Sequence, residues 1–248
     1  MALMTSVALI QLVGLPLQAS EVDRRIESSA KKSYNFQTYL KDDKIKIEST
    51  DGVVILSGTV SEDYHKSLAE ETVSGLPGVK SVDNQLTVVG EQPIEHSDGW
   101  ISLKVKAALA FHKNVSATET GVNTQNGVVT LSGKSDSEAQ KQLTAEYVKE
   151  VEGVKEVRNE LVVSKPVKSA GATLGAKVDD ASITAQIKTS LLFHKATHAL
   201  ATKVVTKNGV VTLRGEAQNA AERDLVTKLA KDINGVRVVN NKMTVPKS

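Results

Sequence analysis

No cysteine occurs in the 248 residues. Its absence excludes disulfide bonds, thiolate metal sites, a cysteine nucleophile and a lipid-modified N-terminal cysteine. It is compatible with an oxidising compartment but does not require one. Aromatic residues make up only 3% of the chain, which disfavours a deep aromatic pocket for a flat cofactor. Long apolar runs are missing too. The nearest approach is VALIQLVGLPL near the N-terminus, interrupted by Gly14 and Pro16. It is too short and too broken for a comfortable transmembrane helix. Ala2 to Gln18 carries no charge, and QAS follows at 18–20. The pattern resembles the apolar region and small-residue cleavage site of a secretory signal lacking its basic start, with cleavage after Ala19. Residues 1–19 are therefore expected to be a signal-peptide-like segment.

What remains is ordinary in bulk and unusual in order. The chain is 40% hydrophobic and 24% charged, as soluble globular proteins are. Its length admits one large domain or two to three small ones. Three strings decide between these: DGVVILSG at 51–58, NGVVTLSG at 126–133 and NGVVTLRG at 208–215. Their first glycines, Gly52, Gly127 and Gly209, lie 75 and 82 residues apart. A second glycine follows at plus six (Gly58, Gly133, Gly215) and a third at plus 26 (Gly78, Gly153, Gly235). Phe36, Phe111 and Phe193 each stand 15 residues before the Asp or Asn that opens the string. The chain is read as three homologous domains, 21–89, 97–164 and 179–246. Residues 90–97 form a short linker, and 164–178 a longer one rich in Gly, Ala, Ser and Lys. The longer linker predicts a more mobile third domain that folds by itself.

Each copy carries the same order of elements. Apolar residues at i, i+4, i+8 predict a first helix: Ile101, Val105, Leu109 and Ile183, Ile187, Leu191, with Ile26, Ala30, Tyr34 as the weakest version. Asp-Gly or Asn-Gly suits a type I′ turn, whose two central residues both need positive φ. The opening string is thus the second half of a β-hairpin, with Gly52, Gly127 and Gly209 as its turn residues. A second helix follows, with Leu68, Leu143 and Leu225 on its apolar stripe. Ser135-x-x-Glu138 and Asn219-x-x-Glu222 have the form of capping boxes. The plus-26 glycines are expected at the helix end, and an alternating run forms a third strand. The fold class is α+β: three tandem αββαβ domains, each a small mixed three-stranded sheet covered by two helices.

The αββαβ order, the [DN]GVVxLxG hairpin and the downstream GVxxVxN strand together resemble the BON-domain family. The resemblance covers about residues 21–245 in three copies. It implies an exported, periplasmic protein of the bacterial envelope, induced by osmotic or envelope stress, that binds phospholipid or supports the envelope. It supplies no catalytic residues, and no enzyme activity is expected. With no cysteine, the chain is expected to be soluble and not a lipoprotein.

Catalysis shared by three copies would need the same polar residues in each. The polar residues repeated besides the turn Asp/Asn are Asn84, Asn159 and Asn241. Each is expected to satisfy backbone groups at the start of the third strand, a structural role. The paired glycines do not make a phosphate loop, because Val-Val-x-Leu lies between them and no GK[ST] follows. His194 and His198 have half the spacing of a helical zinc site, with no third ligand beside them. His65 is placed on a polar helix face and His96 in a linker. A KH-type RNA-binding reading lacks its GxxG loop. No cofactor, metal or nucleic-acid partner is expected.

Charge is unevenly spread. Residues 21–89 hold nine Lys/Arg against twelve Asp/Glu, 97–163 eight against nine, and 179–248 eleven against six, while 164–178 hold three lysines and no acid. An acidic-to-basic gradient suggests that the C-terminal third meets an anionic partner, which in an envelope means phospholipid or lipopolysaccharide. The alternative, ranked just behind it, is that basic domain 3 docks on acidic domain 1. Trp100, the single tryptophan, has Lys104 one turn on. The pair is expected to face a bilayer interface, where amphipathic aromatics collect, or else a neighbouring domain. The expected function is thus peripheral binding to an anionic phospholipid or envelope surface, with envelope proteins as a further partner class. A periplasmic chaperone-like or protein-binding scaffold is the alternative.

Overall fold

The computed structural model describes residues 21–90, 93–115, 119–164, 177–194, 197 and 202–246. The signal-like segment, His198 and nearly all of the longer linker lie outside these residues. Domain 1 runs α1 (Glu21–Lys32), α2 (Tyr34–Thr38), β1 (Lys44–Thr50), β2 (Val53–Val60), α3 (Asp63–Ser74), β3 (Ser81–Asn84) and β4 (Thr87–Val88). Domain 2 runs α4 (Asp98–Ala110), β5 (Thr120–Gln125), β6 (Val128–Ser135), α5 (Glu138–Lys149), β7 (Glu156–Asn159) and β8 (Val162–Val163). Domain 3 runs α6 (Asp180–Phe193), β9 (Lys203–Lys207), β10 (Val210–Arg214), α7 (Ala220–Asp232) and β11 (Val238–Asn241). In each domain the hairpin is antiparallel and the last strand returns parallel to the hairpin's second strand. The sheet is mixed, with that second strand at its centre.

The hairpin turns follow from their sequence. Asp51, Asn126 and Asn208 have φ of 52°, and Gly52, Gly127 and Gly209 have φ of 80°, 80° and 73°, as a type I′ turn requires. The turns are also tied to the first helix. Asp23, Asp98 and Asp180, in its opening turn, each accept from both turn amides. The distances to Asp51 and Gly52 are 3.1 and 2.9 Å, to Asn126 and Gly127 2.7 and 2.8 Å, and to Asn208 and Gly209 2.6 and 2.8 Å. This clamp is a polar feature shared by all three copies that the pattern reading missed. Its signal was present, since each aspartate precedes the turn Asp or Asn by 28 residues.

The three asparagines staple helix to sheet. The Nδ2 atoms of Asn84, Asn159 and Asn241 donate to the carbonyls of Lys66, Lys141 and Arg223 in the second helix, at 3.1, 2.8 and 2.9 Å. Their Oδ1 atoms accept from the amides of Leu86, Leu161 and Met243. They sit where the third strand breaks, not where it begins. That break divides the strand into β3 and β4 in domain 1 and into β7 and β8 in domain 2, so these two sheets have four strands.

Three local expectations shift. The first helix of domain 1 is interrupted at Ser33, whose hydroxyl donates to the Ala30 carbonyl at 2.8 Å. Tyr34 starts α2, and its amide donates to Asp179 of domain 3. The α5 cap is Ser137, accepting from Gln140 at 3.1 Å, with the Gln140 side chain accepting from Asp136, so the box lies two residues beyond Ser135. The second helices end at Ser74, Lys149 and Asp232, short of the plus-26 glycines. Those glycines instead let the first helix close in. A Cβ on Gly78, Gly153 or Gly235 would lie 2.9, 2.9 or 3.0 Å from Val22, Ile101 or Ile183.

Domain 3 packs on both others. The α6 helix buries Ile183, Ile187 and Leu191 in its own core, yet Ser182, Gln186, Thr189 and Ser190 are buried as well. Asn35 of α2 explains part of this, donating to Thr72 Oγ1 at 2.8 Å and to the Ser182 carbonyl at 3.2 Å while accepting from Gln186 at 2.7 Å. Lys188 pairs with Glu71 of α3 at 2.7 Å. Basic domain 3 therefore does dock on acidic domain 1, and the longer linker does not leave it free. Domains 2 and 3 meet reciprocally. The amide of Asn234 donates to the Phe111 carbonyl and that of Glu152 to the Phe193 carbonyl, at 3.3 and 3.1 Å. Antiparallel bridges join His112 to Ile233 and Val151 to His194. Every residue in one half maps onto the other by the 82-residue repeat, the signature of an isologous, two-fold contact.

Candidate functional site

Two surfaces could carry chemistry or binding: the junction where the domains meet and the open faces of the sheets. The few aromatics gather at the first. Tyr39 packs edge-on against Phe111, and Tyr64 against both Phe111 and Phe193, with centroids 5.1, 6.1 and 6.2 Å apart. Burial raises the Tyr39 and Tyr64 hydroxyls well above the ordinary phenol range, so both stay protonated. Beside them opens a cleft of about 420 Å³, lined in part by Tyr64, Trp100, Leu103, Ala107 and Phe193.

Trp100 is half-buried at the mouth of this cleft. Its amide is capped by Ser97, and Gly153 lets the indole lie close over the backbone. Lys104 Nζ stands 3.7 Å from the indole centroid and 2.8 Å from Glu152 Oε2. The Lys104 hydrogen bond holds the Glu152 carboxyl below its ordinary range, against a smaller opposing effect of burial. Lys104 is thus neutralised and covers one face of the indole. The tryptophan and the lysine do come together, with a third residue that takes the charge.

His65 is buried instead of lying on a polar helix face. Its Nδ1 lies 2.6 Å from Asp43 Oδ2 and 3.3 Å from Ser61 Oγ. Serine, histidine and aspartate meet here, but both oxygens address one ring nitrogen. A catalytic relay needs the acid on one nitrogen and the nucleophile on the other. The cluster closes the loop before α3, where domains 2 and 3 use Gln140 and Glu222 to hold the amides of Asp136 and Gln218. Among the described residues, no group of three His, Cys, Asp or Glu is placed to hold a metal ion. Among the same residues no helix is long and apolar enough to cross a membrane.

The second surface is the open face of the domain 3 sheet. Val204, Val211 and Leu213 point inward and are buried. Period two then sends Lys203, Val205 and Lys207 of β9 outward, in register with Arg214, Thr212 and Val210 of β10. Val210 pairs in turn with Val238 of β11. Lys203, Lys207 and Arg214 are exposed, as are Val205 and Val238 at 47% and 50%. No carboxylate lies at the outward positions of these strands. The equivalent face in domain 1 mixes Lys44 and Lys46 with Glu48 and Asp83, and in domain 2 Arg158 is matched by Glu156 at 3.4 Å. The alternation KVVTK at 203–207 carried this signal, but only pairing with β10 and β11 makes it a surface.

The three repeats each match a known family. The BON domain matches residues 22–90, 97–165 and 179–247. The chain is 35% identical over 200 residues to the osmotically-inducible protein Y of Escherichia coli (strain K12), covering 80% of this chain and 96% of that one. It is 26% identical over 146 residues to the outer membrane lipoprotein DolP of Haemophilus influenzae, covering 58% of this chain and 74% of the relative. Among solved structures, CdsD of the type III secretion system of Chlamydia trachomatis aligns over 91% of this chain and 92% of its own, at 18% identity and a TM-score of 0.25. With three copies of the matching domain, and with the hairpin turn that marks each copy, the chain belongs to the BON domain family.

Proposed function

We propose that this chain is a non-enzymatic, exported envelope protein that binds anionic phospholipid surfaces peripherally, with the open sheet face of domain 3 as its main contact. The observation that carries this reading is a flat face holding Lys203, Lys207 and Arg214 around Val205, Val210 and Val238, with no acid among them. Each basic residue close to an anionic surface contributes on the order of 1 kcal/mol. Three give roughly a 100-fold preference over neutral lipid, and it falls as salt shortens the screening length below about 8 Å. Trp100 adds the edge of a half-exposed indole whose burial in lipid is insensitive to salt, and Lys104 holds that ring in place. The relatives fit an envelope setting, one being osmotically inducible by name and another an outer membrane lipoprotein.

Vesicle flotation tests it. The full chain should float with anionic and not with neutral vesicles. The triple variant Lys203→Glu, Lys207→Glu, Arg214→Glu should lose most of that binding, and Trp100→Ala only the part that survives high salt. Unchanged flotation of the triple variant would refute the sheet as the contact. Binding to unfolded polypeptide without vesicle binding would favour a chaperone-like scaffold instead.

A further inference from the structure

At the centre of the reciprocal contact between domains 2 and 3 lie two histidines. His112 follows α4 and bridges to Ile233, and His194 follows α6 and bridges to Val151. Each is 3% exposed. None of their four ring nitrogens has a hydrogen-bond partner. The His112 ring instead lies flat on the Tyr147 ring, centroids 4.0 Å apart and planes 4° from parallel. A neutral imidazole tolerates such a place as a small aromatic. An imidazolium does not, because burying a charge without a partner is costly.

The charged groups around the pair are already engaged elsewhere. Asp232 of α7 takes the Tyr147 hydroxyl and the Asn114 amide. Lys113 donates to the carbonyls of Lys231 and Val236. Lys228 lies over the far side of the cluster, 5.8 Å from the Tyr147 centroid. On the His194 side, Glu152 is held by Lys104 and Lys188 by Glu71, while Lys149 and Glu150 end α5. Among the described residues, no carboxylate makes a hydrogen bond to either ring. A charge on His194 would also oppose one on His112.

We propose that His112 and His194 form a proton-sensitive latch: both rings must be neutral for domains 2 and 3 to stay closed, and acidification parts the two domains while each keeps its fold. Opening would bare Phe111, Val151, Phe193 and Ile233, apolar residues covered in the closed state.

Burial pushes His112 down to about 3, with the charge of His194 adding to the effect, and pushes His194 down to about 4. An imidazole depressed in the closed state stabilises closure fully above its ordinary value near 6.5. It loses that contribution as pH falls from there towards the depressed value. At pH 5 each ring shifts the closed-to-open ratio by about 30-fold, and the two together by about 1,000-fold.

The experiment is a pH series on the full chain, from 7.5 to 4.5, following X-ray scattering and far-ultraviolet circular dichroism together. The expected result is an increase in radius of gyration between pH 6 and 4.5 with helix and strand signals retained. In His112→Phe, His194→Phe the rings stay aromatic and do not titrate, so that chain should remain compact across the range. A native chain that stays compact to pH 4.5, a double variant that expands equally, or loss of secondary structure in step with expansion would each overturn the latch. Ring proton resonances of the native chain give an independent reading that needs no variant. Midpoints displaced below 6.5 that coincide with the expansion support the proposal; midpoints near 6.5, or midpoints that do not track the expansion, refute it.

Discussion

Removing the carboxylate that clamps one hairpin turn should cost far more than its place on a helix surface suggests. In domain 2 that residue is Asp98, which receives the amides of Asn126 and Gly127 at 2.7 and 2.8 Å. Hydrogen bonds to a charged acceptor contribute about 1.5–3 kcal/mol each. In Asp98→Ala the exposed Asn126 amide regains water, whereas the buried Gly127 amide does not. A further few tenths go with the negative charge in the first turn of α4. The sum is about 2–4 kcal/mol. Taking the three packed domains as one melting unit at neutral pH, 1 kcal/mol moves Tm by about 2–4 °C. Calorimetry should show Tm falling by about 5–15 °C. Asp98→Asn keeps one acceptor oxygen and turns an amide towards the second donor, so it should lie between native and alanine. A drop below about 2 °C in Asp98→Ala would refute the clamp as a main tie between helix and hairpin.

Two further substitutions probe the turn itself and the junction. Gly127→Val forces a β-branched residue to a φ of 80° and sets its Cβ 3.0 Å from the Lys155 side chain, which should destabilise domain 2 by about 2 kcal/mol or more. Unchanged melting of that variant would remove the turn assignment. Asn35→Ala removes the donor to Thr72 Oγ1 and to the Ser182 carbonyl and leaves the Gln186 side-chain amide without its acceptor in a buried interface, at about 1–3 kcal/mol. A double-mutant cycle with Gln186→Ala should return a coupling of at least about 0.5 kcal/mol, and strict additivity would show that the two side chains do not act together.

The amino-acid order by itself determined the repeat, the hairpins and the mixed sheet, because each depends on residues close along the chain. Asp-Gly and Asn-Gly select a turn through their own φ preferences, and alternating valines select a strand by facing one side of it. The same locality explains the failures. Nothing near Ser33 says that α1 must stop there; Asp179, 146 residues on, takes the amide of Tyr34 and lets a new helix begin. His65 read as a surface residue because the buried Asp43 that meets it lies outside its helix. Trp100 read as an outward indole, and only Glu152 and Gly153 of the facing segment give Lys104 a partner and the ring a floor. Hydrogen bonds between distant residues and the pairing of β9 with β10 and β11 are properties of the folded surface. Tertiary structure alone therefore decided where the positive charge of domain 3 collects and how His112 and His194 come to share one buried contact.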